Sequence, residues 1–316
     1  MLPLALVLFI ALPGSKPPEP PPEGVHLVLT QPDYPFPLPE LLVIDIESPR
    51  ELPFNFRSSA DEISTRPLPG GTPVTTDGLA ALNVSGSGQF SPNQFYELQM
   101  KLADRAVTIV DLRLEPHAFI NNMAVSWGPI NKLPDVRPET LERQYLDAAL
   151  AGHNVTITSF AFEGYSRPAD WEAIKLPVAV RKVRTEPELV APAYWDYERF
   201  STADFSPPPV AVVDRFVDFI RDRDPNRWLH LHCDSGLGRT TLFLTMIDMM
   251  ANSGRLPAPA LIERQHRLGG SNLADTRDPN RQIAAAKRAR LAFLEDFYRY
   301  CRFTAPHFFM SWETWA

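Results

Sequence analysis

Apolar positions along the chain change their spacing several times, and each spacing predicts a different element. Continuous apolar or β-branched runs at residues 107–112 and 228–231 predict buried strands. Apolar residues at helical spacing follow Ser91 and recur over residues 213–220, and a long helix is predicted from about residue 282 to 302. Strands that alternate with helices indicate an α/β domain whose central sheet is flanked by helices.

Residues 123–190 interrupt this pattern. They carry short alternating runs, at 155–158 and 178–180, separated by many turn residues. Such runs predict a small β-rich insertion. The core domain is therefore predicted in two parts, residues 51–122 and 191–316.

The N-terminal residues have a composition of their own. Residues 2–12 are almost wholly apolar, a run too short to cross a bilayer but long enough for a signal-peptide core, although the usual positive flank is missing. We expect a signal peptide over 1–14, followed by a proline-rich linker and N-terminal extension over 15–50. A secreted or periplasmic protein without a stable membrane anchor is expected, and a cytoplasmic one if the run is not a signal.

Composition excludes several functions. The chain of 316 residues is 44% hydrophobic and 22% charged, with a net charge of −7, so we expect no nucleic-acid partner. A local basic pocket for a polyanion is still allowed. Only two cysteines are present, Cys233 and Cys301, and no disulfide framework is expected. No His, Cys or carboxylate cluster has zinc or calcium spacing, so neither a metal nor a cofactor is predicted.

The stretch at 232–241, His-Cys-Asp-Ser-Gly-Leu-Gly-Arg-Thr-Thr, is the most informative in the chain. Cys233 ends the predicted strand, and a helix is predicted directly after the loop. Gly236 and Gly238 allow backbone angles that other residues avoid, so the loop amides can point at one anion at a helix N-terminus. The same electrostatic field favours a cysteine thiolate, which is a nucleophile.

Arg239 and Thr240, which follow the glycines, also fit a loop that binds a phosphoryl group. The planar guanidinium of Arg239 can bind two phosphate oxygens. Thr240 can donate a hydrogen bond to the cysteine sulfur, or serve as an ordinary hydroxyl at a helix start. The alternative for Cys233 is a buried structural cysteine, since cysteine is among the most buried residue types.

The loop resembles that of protein tyrosine phosphatases, and the flanking motifs resemble one branch of them. That branch is the bacterial cysteine phytases, which are protein-tyrosine-phosphatase-like inositol polyphosphatases. Further segments similar to this family are residues 55–57, 109–113 with Glu115 and His117, 180–186, 264–266 with Gly269 and Gly270, and 297–300. The resemblance covers roughly residues 50–315.

The resemblance implies a phosphatase core with a small inserted partial β-barrel. It implies stepwise removal of phosphates from inositol hexakisphosphate through a cysteinyl-phosphate intermediate, without a metal. The partner is then a small polyanionic substrate. The phosphate-binding loop would comprise Asp234, Ser235, Gly236, Leu237 and Gly238.

The resemblance also implies a general acid. In the family the acid ends a Tyr-x-Arg segment after the barrel, and here this position is Asp204. Phe205 stands where the family has a histidine, which puts rate or regiospecificity in doubt more than reaction type.

Residues outside the loop add candidates for substrate contact. These are Arg57, Asp111, Arg113, His117, Lys182, Arg184 and His232. For His232 a buried structural role is favoured over acid–base work. Asp111 and Arg113 form either an ion pair that braces the loop or a substrate contact. His117 and the three basic residues at 57, 182 and 184 can equally be solvated.

Two other functions stay open. The same loop serves a protein tyrosine or dual-specificity phosphatase, whose pocket needs depth and aromatic walls more than a basic rim. A catalytically inactive phosphate-binding module is the alternative of another class, although the presence of Cys233, Arg239 and Asp204 weighs against it.

Overall fold

The computed structural model describes residues 42–46, 50–66, 74–127, 138–161 and 172–316. The predicted signal peptide and most of the predicted linker lie outside these residues. The described strands are β1 Leu42–Ile46, β2 Arg57–Ser58, β3 Val84–Ser87, β4 Val107–Arg113, β5 His117–Ile120, β6 Met123–Trp127, β7 Asn154–Ala161, β8 Glu172–Ala179, β9 Val183–Arg184, β10 Asp196–Thr202 and β11 Trp228–His232. The described α-helices are α1 Pro92–Lys101, α2 Pro138–Gly152, α3 Glu186–Val190, α4 Val210–Asp222, α5 Gly238–Asn252, α6 Ala258–Arg267, α7 Arg281–Thr304 and α8 Trp312–Trp315.

The core sheet has five strands in the order β10-β4-β11-β3-β2. All pairs are parallel except β2 with β3. Strand β11 lies between β4 and β3, and all its residues are buried, which explains its continuous apolar run. Its carboxyl end leads into the loop at 233–237, so this loop lies at the edge of the sheet where ligands bind in parallel α/β folds.

Helix α5 follows the loop and is the most buried helix of the core. It contacts β11 and β3 on one side and α6 and α7 on the other. Being covered on both sides, it is apolar around its circumference rather than along one stripe. The predicted helix after the loop is confirmed, and it begins at Gly238. The helix predicted after Ser91 is also confirmed, with a capping box between Ser91 and Gln94.

A second sheet has six strands in the order β8-β7-β1-β6-β5-β9. It extends beyond the predicted insertion, because it includes β5 and, from the predicted N-terminal extension, β1. It also carries the 15-residue helix α2, which packs on β5 and β7. The expectation of a purely β-rich segment is thus incomplete, since Leu141, Leu146 and Ala149 already form an apolar helical stripe in the sequence.

Aromatic side chains join the two sheets. Phe90 stacks against Phe119 of β5 at 6.2 Å between ring centroids and lies 5.0 Å from the ring of His232 at the end of β11. These residues are buried. The second sheet is therefore packed against the segment that ends in Cys233. Among the described helices, none combines the length and the apolar character that a bilayer crossing requires.

Candidate active site

The loop between β11 and α5 depends on one glycine in particular. Gly236 has φ of 76°, and a Cβ atom there would lie 2.2 Å from the amide nitrogen of Gly88. Both backbone angle and space therefore require glycine. Gly238 differs from the prediction, because it has no positive φ and serves as the first residue of α5.

The nucleophile candidate lies at the base of this loop. Cys233 is 1% exposed, and the hydroxyl of Thr240 donates a hydrogen bond to its sulfur at 3.2 Å. The predicted contact between these two residues is therefore present. A donor at this distance stabilises negative charge on sulfur. The hydroxyl also lies 3.4 Å from the carbonyl oxygen of Ser87, so Thr240 connects the loop to the end of β3.

Arg239 is held in place by a carboxylate that the sequence analysis mentioned only as part of a motif. Its two terminal nitrogens lie 2.7 and 3.0 Å from the two oxygens of Glu115, and one also donates to the carbonyl of Thr202 at 3.3 Å. Burial alone would lower the pKa of Arg239, but the charges of Glu115 and Asp204 raise it well above its usual value. Burial would raise the pKa of Glu115, but Arg239 and Arg113 hold it well below its usual range. Both groups are therefore charged at neutral pH.

Asp204 lies beside this arginine. Its Oδ1 is 3.6 Å from Arg239 Nε, and it accepts a hydrogen bond from the backbone amide of Phe205 at 3.0 Å. Only the family resemblance predicted that Asp204 belongs to the site, and the fold brings it to the loop from the end of β10.

Phe205 is buried with φ of 59°, and its ring lies 5.5 Å from Lys287 Nζ and 6.0 Å from Arg290 Cζ. At the position after Asp204, this chain therefore places an apolar ring against two cations of α7.

Asp111 and Arg113 do not form the predicted side-chain ion pair. Asp111 accepts from the Tyr197 hydroxyl at 2.8 Å and pairs with Arg199 at 3.0 Å. Arg113 pairs with Asp45 at 2.9 Å and with Glu115 at 2.8 Å, and only its backbone amide reaches Asp111. Each side chain has a partner from another element, so the prediction of a direct pair is wrong. Through Glu115, Arg113 is still connected to Arg239.

The two predicted histidines, His117 and His232, both contact the buried carboxylate of Glu186. Nε2 of His232 lies 2.6 Å from Glu186 Oε1, and Nε2 of His117 lies 3.3 Å from Glu186 Oε2. His117 is 2% exposed, so it is not a surface residue, and its Nε2 is also 3.4 Å from Asp111. Burial would raise the pKa of Glu186, but His232 and His117 hold it well below its usual range.

Glu186 entered the sequence prediction only as the last residue of the motif at 180–186, and no role was assigned to it. It lies between Thr185 and Glu188, which form a capping box at the start of α3, so it resembles an ordinary acidic residue in a first helical turn. Only its complete burial, which the sequence does not reveal, sets it apart from its neighbours.

The predicted basic residues lie in different environments. Arg57 is 2% exposed and donates to the carbonyl of Gly236 at 2.7 Å, so it supports the loop from behind. Its assignment to a peripheral phosphate is corrected on this ground. Lys182 is exposed and precedes β9. Arg184 in β9 is partly buried, burial lowers its pKa, and no acid pairs with it among the described residues.

The remaining loop residues are oriented by their neighbours. The carbonyl of Asp234 accepts from the backbone amide of Gln89 at 2.7 Å, and the hydroxyl of Ser235 lies 3.4 Å from the amide of Leu237. The charge of Asp234 also acts on Asp45 of β1. Burial raises the pKa of Asp45, the positive charge of Arg113 lowers it, and the negative charge of Asp234 raises it. Within the described ranges, no three His, Cys, Asp or Glu side chains are grouped as metal ligands.

Comparison with known proteins gives a consistent result. The family model of the protein-tyrosine-phosphatase-like (PTP-like) phytases, described as inositol hexakisphosphate, matches residues 153–251. Effector protein hopD2 of Pseudomonas syringae pv. tomato is 28% identical over 290 residues, which cover 87% of this chain and 59% of hopD2. Protein AvrBs1.1 of Xanthomonas campestris pv. campestris is 34% identical over 89 residues, covering 28% of this chain and 86% of that protein.

Solved structures agree. The PTP-like myo-inositol phosphatase of Mitsuokella multacida, in complex with myo-inositol-(1,3,4,5)-tetrakisphosphate, aligns with a TM-score of 0.79 at 28% identity. The alignment covers 89% of this chain and 48% of that one, so this chain spans about half of that protein. A PTP-like phytase of Bdellovibrio bacteriovorus shares the fold at 24% identity, with a TM-score of 0.66 over 88% of this chain and 94% of that one.

Proposed function

The chain belongs to the PTP-like phytases, and on that premise we propose that it removes phosphates stepwise from inositol hexakisphosphate and related inositol polyphosphates. One observation carries this proposal. The loop after β11 and the first turn of α5 carry the Cys233 sulfur, its hydroxyl donor Thr240 and Arg239, and the carboxylate of Asp204 lies 3.6 Å from that arginine. These are the groups that displacement at phosphorus by a thiolate requires.

Each group has a defined role in the proposed reaction. The Cys233 thiolate attacks phosphorus in line with the leaving alkoxide and forms a cysteinyl phosphate. Asp204, protonated, transfers its proton to the leaving oxygen. Arg239 and the loop amides stabilise charge on the equatorial oxygens. Water then attacks phosphorus while Asp204 accepts a proton, which releases inorganic phosphate and regenerates the thiolate.

Glu115 contributes without touching the reacting atoms. It binds both terminal nitrogens of Arg239 and also pairs with Arg113. A guanidinium held by a carboxylate loses less side-chain freedom when it binds substrate. Glu115 is thus proposed as a positioning residue for Arg239.

Two basic residues in or next to β9 of the second sheet, Lys182 and Arg184, support the proposed substrate class. Arg184 is paired in register with Phe119, so both side chains lie on the face of the sheet that also carries His117. Phe119 belongs to the core cluster, His117 lies against the ring of His232, and Arg184 lacks a carboxylate partner among the described residues. Lys182 lies two residues before it. In the part of the chain that the structure describes, neither cation has an acidic partner, which favours a substrate with several phosphates. The tetrakisphosphate bound by the Mitsuokella protein supports the same class.

The test compares phosphate release from inositol hexakisphosphate with release from a phosphotyrosine peptide under identical conditions. We expect turnover of the inositol phosphate to dominate. Preference for the peptide would favour a protein phosphatase, and release from neither, despite binding of inorganic phosphate, would indicate an inactive phosphate-binding module.

The role of Asp204 has a separate test. Asp204→Asn should lose most of its activity on inositol hexakisphosphate, whose alkoxide leaving group needs a proton. It should lose much less on p-nitrophenyl phosphate, whose leaving group is stable as an anion. Equal losses on both substrates would contradict the role of Asp204 as general acid.

A further inference from the structure

Three consecutive carbonyl groups of the loop accept hydrogen bonds from outside the loop. The carbonyl of Asp234 accepts from the amide of Gln89 at 2.7 Å. The carbonyl of Ser235 accepts from the side-chain amide of Asn55 at 2.8 Å, and that of Gly236 accepts from Arg57 at 2.7 Å. We call Asn55, Arg57 and Gln89 the outer clamp.

The outer clamp determines where the loop amides point. No loop peptide is cis. In a trans peptide the N–H points away from the C=O of the same plane. Because the carbonyls of residues 234, 235 and 236 face the clamp, the amides of residues 235, 236 and 237 face the opposite side, which is the concave side of the loop. Successive amides that point into one concavity bind an anion.

Gln89 contributes only its backbone amide to the clamp, and the two residues that contribute side chains, Asn55 and Arg57, are themselves held in place. Arg57 also donates to the hydroxyl of Thr241 at 3.0 Å, and this hydroxyl in turn donates to the carbonyl of Leu237 at 2.5 Å. Arg57 thus spans the loop from Gly236 to the first turn of α5. Asn55 has φ of 56°, a left-handed conformation that asparagine tolerates better than most residues.

We propose that Asn55 and Arg57 are positioning residues that hold the loop amides toward the phosphoryl oxygens, and that neither contacts substrate. The proposal rests on the phosphoryl transfer proposed above. It replaces the expectation that Arg57 binds a peripheral phosphate, because a guanidinium that is 2% exposed and bound to the loop backbone cannot reach a phosphate at the pocket rim.

Two variants test the clamp. Asn55→Gly removes one donor while keeping the left-handed backbone angle at no steric cost. Arg57→Met removes two donors and keeps the length of the side chain. Arg57→Lys restores one donor and should recover part of any loss.

The chain offers matched controls. Asn83→Gly replaces an asparagine that also has a positive φ, 53°, and also donates to a carbonyl, that of Pro225, at 3.0 Å. Arg223→Met replaces an arginine that donates to the carbonyl of Leu82 at 3.0 Å. Neither control residue contacts the loop in the described structure.

The measurements are the dissociation constant of inorganic phosphate, and kcat and KM for both p-nitrophenyl phosphate and inositol hexakisphosphate. The unfolding temperature of each variant serves as the folding check. We expect both clamp variants to weaken phosphate binding and to lower kcat on p-nitrophenyl phosphate by about 10- to 100-fold, because loop donors act on every phosphoryl group. The loss on inositol hexakisphosphate should be the same within about twofold, and the controls should behave as wild type.

Other outcomes overturn the proposal. A rise in KM for inositol hexakisphosphate alone, with phosphate affinity and p-nitrophenyl phosphate turnover unchanged, would make Arg57 a substrate contact. No change in either variant would also refute the clamp. If Arg57→Met does not fold, Asn55→Gly decides between these outcomes. If the wild-type protein hydrolyses p-nitrophenyl phosphate but not inositol hexakisphosphate, the proposed substrate is refuted. The clamp is then tested by the dissociation constant of inorganic phosphate in the two clamp variants.

Discussion

Glu186 Oε1 lies 2.6 Å from His232 Nε2, and both side chains are almost completely buried. The pair joins the first residue of α3 to the residue that precedes Cys233, the proposed nucleophile. Because α3 follows β9 directly, this carboxylate is one of the contacts that connect the second sheet to the loop after β11.

Replacing this carboxylate should affect both stability and turnover. We expect Glu186→Gln to lower the free energy of unfolding by about 2–3 kcal/mol, since it removes a buried carboxylate whose two oxygens contact the rings of His232 and His117. Urea denaturation measures this loss. In addition, kcat should fall more than KM rises, because the loop is displaced while the peripheral cations remain.

Glu188→Gln is the control for this variant. Glu188 lies in the same helix and pairs with Arg143, but its side chain is half exposed. Its replacement should cost less than about 1 kcal/mol, as is usual for surface ion pairs. Equal costs at the two positions would refute the role assigned to Glu186.

Cys233→Ser should fold but lose essentially all turnover. A serine hydroxyl ionises far less readily than a thiol, and no base is positioned to activate it. Cys301→Ser is the control, because burial raises the pKa of the Cys301 thiol well above its usual value and the residue lies in helix α7, outside the loop. Hydrolysis of p-nitrophenyl phosphate is the assay, and more than a few percent residual activity in Cys233→Ser would contradict covalent catalysis.

Replacing Lys182 and Arg184 together with alanine should separate large from small substrates. Each charge-assisted contact to a phosphate contributes roughly 1.5–3 kcal/mol. The KM for inositol hexakisphosphate should therefore rise by at least about tenfold, whereas p-nitrophenyl phosphate should be little affected because it reaches only the loop. Lys175→Ala, which removes an exposed lysine of β8 in the same sheet, is the control. Unchanged kinetics on both substrates would show that the two residues face solvent and would favour a protein phosphatase.

His230 predicts how stability depends on pH. Burial, with the nearby His232, lowers its pKa to about 3, and its two ring nitrogens contact the hydroxyls of Ser85 and Ser87. In the unfolded chain its pKa is about 6.5, so below that pH the unfolded state binds a proton that the native state does not. Stability is therefore complete above pH 6.5 and is lost progressively as pH falls toward 3.

Between pH 7 and pH 5 this single residue should account for a loss of about 2 kcal/mol. His230→Gln should show a smaller decrease over the same interval by about that amount, whatever its stability at pH 7. Urea denaturation at the two pH values measures the difference. An identical decrease in wild type and variant would mean that His230 is not held neutral.

Activity should survive a chelator. The proposed reaction uses a thiolate, a carboxyl group and hydrogen-bond donors, and none of its steps requires a Lewis acid. The assay is hydrolysis of p-nitrophenyl phosphate before and after dialysis against EDTA. Loss of activity that is restored by a divalent cation would overturn this mechanism.

The loop chemistry could be predicted from the sequence because its parts are local. Cys233, Gly236, Arg239 and Thr240 lie within eight consecutive residues, at the junction of a run that predicts a buried strand and a run that predicts a helix. Spacing alone then places the sulfur, the loop amides and the guanidinium around one point. Asp204 is not local, and only resemblance to a family identified it.

Tertiary structure decided the partners of the buried charges. Glu115 and Arg239 are 124 residues apart, Glu186 and His232 are 46 apart, and Asn55 and Ser235 are 180 apart. A charged side chain looks the same in sequence whether it is solvated or buried. Its role depends on which opposite charge or carbonyl the fold brings within 3 Å, because a buried charge is stable only when it is paired. Arg57 is the clearest case, since its type suggested a phosphate ligand and its burial makes it a support for the loop.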